Sequence, residues 1–175
     1  MGKSLILLGY MGCGKSAVGN LLARHSSRAF VDLDVYIEQQ EKTTIAKIFE
    51  KFGELSFRKK ERFYLEQLLS QEHGAIIALG GGTPCYFDNM NYIHQFPSVE
   101  TVYLTAHPKT LSRRLFGEKN HRPMIAHLRT EEQLEEFIAK HLFERSPFYR
   151  MSHHQFATDG ISPQALAIQL EELLA

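Results

Sequence analysis

The stretch Gly9-Tyr10-Met11-Gly12-Cys13-Gly14-Lys15-Ser16, directly after the apolar run Leu5–Leu8, constrains this chain more than any other. Gly-x-x-x-x-Gly-Lys-Ser between a strand and a helix is a phosphate-binding loop. Its glycines let backbone N–H groups turn toward phosphate oxygens, and the following helix presents its positive end. Lys15 can reach β- and γ-phosphates, and the Ser16 hydroxyl can ligate Mg²⁺. Gly12, Cys13, Gly14 and Ala17 complete the segment that would wrap the nucleotide. The order Gly9-x-x-Gly12-x-Gly14 is not the dinucleotide fingerprint, which disfavours NAD. Cys13 stands near a helix N-terminus, where thiol pKa values fall. It is read as a small residue that fits, with a redox-sensitive thiol as the alternative.

Short apolar runs alternate with helix-period segments along the remainder, the pattern of an α/β domain with a parallel sheet. The runs Leu5–Leu8, Phe30–Asp32, Ile76–Leu79, Thr101–Leu104 and Gln155–Ala157 are expected strands. Leu134, Phe137, Ile138 and Leu142 recur at three- and four-residue steps and predict a helix over Glu131–Phe143. Leu166, Leu170, Leu173 and Leu174 predict a C-terminal helix. With 175 residues and no linker, the chain reads as one domain, 1–175. The polar, aperiodic stretch Phe116–Arg129 is expected to be a functional lid.

Enzymes with such a loop need a carboxylate near the metal. Only Phe30-Val31-Asp32 is an apolar run that ends in an acid, so Asp32 and Asp34 are the candidates. Asp32 would serve Mg²⁺; Asp34 would accept a hydrogen bond from an acceptor hydroxyl and help remove its proton. An Asp-x-Asp after a strand serves equally well as a helix N-cap.

Gly80-Gly81-Gly82 follows a strand, where open α/β sheets keep their ligands. On the helical stretch Leu55–Leu69, Arg58, Glu61 and Arg62 fall on one face. Arg58 suits a planar carboxylate, and Glu61 could fix its orientation; a solvated ion-pair face is the other reading. Arg113, Arg114, Arg122, Arg145 and Arg150 add positive charge. Arg122, in the polar loop, is placed to neutralise a phosphoryl group in flight. The nine histidines show no metal spacing and are read as surface or core residues. These residues predict an ATP-dependent kinase of a small, anionic, hydroxylated molecule.

Lys plus Arg equals Asp plus Glu at 20 each, which argues against nucleic acid or an anionic membrane as partner. No apolar run approaches the roughly 20 residues of a membrane span, and Leu5–Leu8 is too short for a signal core. The two cysteines form no disulfide framework. A cytoplasmic monomer is expected.

The pieces "GYMGCGKS", "FVDLD", "FRKKE" (Phe57–Glu61), "GGG" after "IIAL", Arg113-Arg114, Arg122-Pro123 and "ERSPFY" (Glu144–Tyr149) together resemble shikimate kinases, over almost the whole length. The resemblance implies a three-layer P-loop kinase fold, a five-stranded parallel sheet flanked by helices, with a substrate-binding region at about 34–62 and a lid at about 113–129. It implies transfer of the ATP γ-phosphate, with Mg²⁺, to the 3-hydroxyl of shikimate on the route to chorismate and the aromatic amino acids. Asp34, Arg58, Gly80, Gly81, Gly82 and Arg145 would hold shikimate, with Arg58 and Arg145 on its carboxylate. Lys15 and Arg122 would stabilise the moving phosphoryl group, and Ser16 and Asp32 would serve the metal. Arg114 and the loop at Ser162-Pro163 would hold the adenine. After Tyr149 the chain departs from the family pattern, reading Arg150-Met151-Ser152-His153.

Overall fold

The computed structural model describes residues 2–71, 74–118 and 124–174. Five strands alternate with helices: β1 (Ser4–Leu8), β2 (Phe30–Asp32), β3 (Ile76–Ala78), β4 (Val99–Thr105) and β5 (His154–Ala157). They form a single parallel sheet in the order β2-β3-β1-β4-β5. Each expected strand is present; Phe30–Asp32 keeps its ends, and the other four differ from expectation by one or two residues at an end.

β1 is central, and all five of its residues are buried, as its uninterrupted apolar run requires of a strand covered on both faces. Fully burying each of its Leu or Ile side chains is worth about 1.5–3 kcal/mol. The flanking strands belong to other crossovers: β1 leads through α1 (Lys15–Ser26) to β2, yet pairs with β3 and β4. The order therefore reverses at the carboxyl end of β1, where open sheets leave a crevice. The phosphate loop occupies that point.

α2 (Leu33–Glu41) starts one residue after β2, capped by Asp32. α3 (Ile45–Gln71) includes the predicted Leu55–Leu69 stretch, but Gly53, at φ 77° and ψ 171°, interrupts it. After β3 come a 3₁₀ turn (Thr83–Cys85), α4 (Asn89–Ile93), β4 and α5 (Pro108–Phe116). Residues 113–116 are thus helical, and the irregular stretch begins at Gly117. At its other end Ile125 is fully buried and anchors the chain to the core.

α6 (Glu131–Tyr149) runs well beyond the predicted end at Phe143, through Pro147. Proline removes the N–H that would bond the Phe143 carbonyl. The Ser146 hydroxyl donates to that carbonyl instead, at 3.5 Å. A capping box fixes the start: Thr130 Oγ1 accepts from Gln133 N, and Gln133 Oε1 accepts from Thr130 N. α7 (Pro163–Glu171) and a last 3₁₀ turn (Glu172–Leu174) close the chain. Among the described residues no helix is long and apolar enough to cross a membrane.

Candidate active site

Gly14 precedes α1 at φ 102°, a conformation glycine adopts without strain, and no side chain caps the helix there. The first N–H groups of α1 therefore face a cleft of about 680 Å³ lined by Gly12, Gly14, Lys15, Ser16, Ala17 and Arg114. Helix N-termini with free N–H groups favour anions. Lys15 Nζ donates to the carbonyls of Gly9 at 2.8 Å and Tyr10 at 3.1 Å. Its ammonium is thereby kept inside the loop. Cys13 is 1% exposed, so its side chain belongs to the core and not to the cleft. That burial favours the reading of a small residue that fits.

Asp32 caps α2 and also reaches the phosphate loop. One carboxylate oxygen accepts from Asp34 N at 3.1 Å and Val35 N at 3.4 Å, capping α2. The other accepts from the Ser16 hydroxyl at 2.8 Å. The cap fixes the carboxylate, and the free edge meets the hydroxyl of the phosphate loop. Two hard oxygens at the mouth of a phosphate site suit Mg²⁺, which takes few protein ligands and keeps water and phosphate for the rest.

A second cavity, of about 290 Å³, opens beside the first and is lined by Phe49, Phe57, Arg58, Gly82, Met124 and Arg145 among others. Met11, Asp34, Gly80 and Gly81 line both. Asp34 thus stands where the two cavities join. Burial pushes its carboxyl up to about 6, helped by the charges of Glu61 and Asp32 and opposed by Lys15 and Arg58.

Arg58 is oriented from several sides. Its Nη1 donates to both oxygens of Glu61, at 3.2 and 3.0 Å, and its Nη2 to Glu54 at 3.3 Å. The guanidinium lies 3.9 Å from the centre of the Tyr86 ring. Glu61 is itself buried at 1% exposure and accepts from the Thr83 hydroxyl at 2.7 Å. The Arg58–Glu61 pair is therefore internal to the site, where a solvated face had been the competing reading. Arg62, on the same stretch, turns instead to Glu66, Asp88 and Asn89. Arg145 reaches the same cavity from α6, with its guanidinium over the Tyr10 ring at 5.9 Å. An acceptor carboxylate entering here would meet two guanidinium groups, with Ile45, Phe49, Phe57 and Met124 offering apolar walls.

The two adjacent arginines separate cleanly. Arg114 donates to the Gly12 carbonyl at 3.1 Å and to both Thr158 oxygens at 3.2 Å, spanning the nucleotide side of the cleft. Arg113 points outward to Glu131 at 3.7 Å. Ser162 accepts from Ala165 N at 3.2 Å and caps α7, with Pro163 in the first turn. Neither is among the described residues lining the cleft, although the Thr158 backbone gripped by Arg114 lies just upstream. Arg122 and Pro123 lie outside the described residues.

Several contributors had no signal in the sequence. Tyr149 donates to the Gly81 carbonyl at 2.6 Å and so fixes the turn of the triple glycine. Tyr86, Thr83 and Glu54 hold Arg58 or its partner. The contacts of Tyr149, Tyr86 and Thr83 join separate elements, so no local spacing announces them; Glu54 stands four residues before Arg58 on α3, and that helical spacing was the signal for it.

The family model described as shikimate kinase matches residues 11–175. A shikimate kinase of Flavobacterium johnsoniae is 42% identical over 173 residues, covering 99% of both chains. Among solved structures, the shikimate kinase of Bacteroides thetaiotaomicron superposes with a TM-score of 0.89 at 35% identity, over 99% of each chain. That of Acinetobacter baumannii, in complex with shikimate, gives 0.85 at 33% identity, covering 98% of this chain and 92% of the other.

Proposed function

This chain belongs to the shikimate kinase family, and on that premise we propose how its residues divide the reaction. The reaction is transfer of the ATP γ-phosphate to the 3-hydroxyl of shikimate, giving shikimate 3-phosphate on the route to chorismate and the aromatic amino acids. The observation that carries the assignment of roles is the position of Asp34, on the wall common to the nucleotide cleft and the acceptor cavity.

ATP lies with its phosphates on Gly12, Cys13, Gly14, Lys15, Ser16 and Ala17, through backbone N–H groups at the start of α1. Its adenine lies against Arg114 and the loop ending at Ser162-Pro163. Ser16 and Asp32 would hold Mg²⁺, which supplies charge neutralisation at the phosphates. Shikimate sits in the second cavity, its carboxylate between Arg58 and Arg145 and its ring against the backbone of Gly80, Gly81 and Gly82. Asp34 accepts a hydrogen bond from the ring hydroxyl that attacks and takes up its proton. A loose phosphoryl-transfer transition state asks mainly for positioning and charge neutralisation, so a carboxylate of modest basicity suffices. Lys15 leaves its loop carbonyls for the γ-phosphate, joined there by Arg122. The substrate-binding region at about 34–62 and the lid at about 113–129 close over both ligands and keep water from the phosphoryl group.

We read the chain as a cytoplasmic monomer that binds neither nucleic acid nor membrane, on its balanced charge and its two free cysteines. The test is ADP release from Mg-ATP with shikimate, gluconate, AMP or no acceptor at equal concentrations. Strong stimulation by shikimate alone is expected. Equal release under all four conditions would overturn the acceptor cavity as assigned.

A further inference from the structure

Tyr10 sits in the phosphate loop at a position the loop's pattern leaves open, and its side chain is 1% exposed. Its hydroxyl shares a 3.0 Å hydrogen bond with Nδ1 of His141, and the two rings meet edge to face at 5.5 Å. His141 and Arg145 are one turn apart on α6, so they share a face. The Arg145 guanidinium lies over the same Tyr10 ring. One turn before His141, Phe137 packs edge-on against the imidazole at 5.5 Å and closes the ladder from the other end.

Burial pushes the Tyr10 phenol up to about 12, so it keeps its proton. Burial and the Arg145 charge push His141 down, against a smaller opposing pull from Glu144, which favours a neutral imidazole, so the hydrogen bond is one between two uncharged groups. Arg58 is held by two carboxylates, whereas the Arg145 guanidinium shares a hydrogen bond with the Tyr149 side chain and leans on the Tyr10 ring, which a histidine fixes in turn.

We propose that Tyr10 and His141 are a pair of positioning residues that hold Arg145 toward the acceptor carboxylate and tie its place to the phosphate loop. The pair rests on the assignment of Arg145 given above. One hydrogen bond then joins the loop that carries the donor to the helix that carries an acceptor ligand, so that movement of either is felt by the other.

The test is steady-state kinetics of Tyr10→Phe, His141→Leu, the double variant, His141→Gln and Arg145→Ala. Each of the first two should raise the shikimate KM about fivefold, the worth of one neutral hydrogen bond. The kcat and the ATP KM should stay within about twofold. The double variant should be no worse than the larger single effect, because both remove the same bond. Gln at 141 restores a hydrogen-bond partner and should recover most of the loss. Tyr10→Phe keeps the buried ring, so it decides the matter even if His141→Leu fails to fold. An unchanged shikimate KM in Tyr10→Phe, additive effects, or equal rises in both KM values would overturn the pair. If Arg145→Ala raises the shikimate KM while the pair variants do not, the pair alone is wrong. If Arg145→Ala leaves it unchanged, the assignment of Arg145 fails and the pair fails with it.

Discussion

Replacing the Asp34 carboxyl by an amide isolates the electrostatics of the site, because Asp and Asn have nearly the same shape and only one can ionise. In the folded protein this carboxyl is raised from an ordinary 3.8 to about 6, chiefly by burial and then by Glu61 and Asp32. The folded state therefore holds the proton more tightly than the unfolded chain does. The resulting penalty is absent below about pH 4, grows as pH rises, and is complete above about pH 6. Its full size is about 3 kcal/mol, from 1.36 kcal/mol for each pH unit. Asp34→Asn should thus stabilise the ligand-free protein by about 2–3 kcal/mol at pH 7.5 and by about half that at pH 5, while removing nearly all turnover. Urea denaturation of both proteins at the two pH values, without nucleotide or magnesium, measures this directly. A variant no more stable than the parent at pH 7.5, or a gain that does not shrink on acidification, would refute the reasoning. It would mean that Asp34 is ionised at little cost, already solvated or paired.

The same geometry sets other outcomes. In Gly82→Ala the new Cβ would sit 2.7 Å from Arg58 Nη2, so the guanidinium must move. Steady-state kinetics should show the shikimate KM rising about tenfold with the ATP KM unchanged, as for loss of a charged hydrogen bond. Glu61→Gln leaves Arg58 without its buried partner, and denaturant unfolding should show a loss of about 3 kcal/mol or more. Because Glu61 helps raise Asp34, the acid limb of kcat/KM in that variant should also move to lower pH. Arg122→Ala should lower kcat by about 10²-fold; a change confined to ATP binding would make Arg122 an anchor for the nucleotide instead.

What the sequence made legible follows physical range. The phosphate loop, the strand before it and Asp32 at the end of the next strand are local patterns, and each lies where its spacing indicated. Arg114 was separated from Arg113 only by three-dimensional contact, because adjacent helical residues point about 100° apart and the chain does not say which way is inward. The end of α6 lies beyond Phe143 because the apolar stripe that marked the helix stops at Leu142 while the helix continues through Pro147, where Ser146 supplies the donor that proline lacks. The Tyr149–Gly81 bond spans 68 residues, and no periodicity carries information over such a distance. The histidines read as surface or core residues included His141, whose role depends on a tyrosine 131 positions away.

The interruption of α3 at Gly53 has a consequence for the shape of the acceptor cavity. Phe49 and Arg58 are nine residues apart, which in an unbroken helix is two and a half turns. They would face opposite directions. Both instead line one concavity, because the backbone at φ 77° and ψ 171° redirects the axis between them. One length of chain thereby furnishes an apolar wall and a charged wall without an intervening loop. The torsions at Gly53 lie in a region that is essentially closed to residues bearing a Cβ. The enclosure offered to the acceptor is thus set at a residue outside the described lining of the cavity, and a methyl group added there would be felt as a change of shape and not as a lost contact.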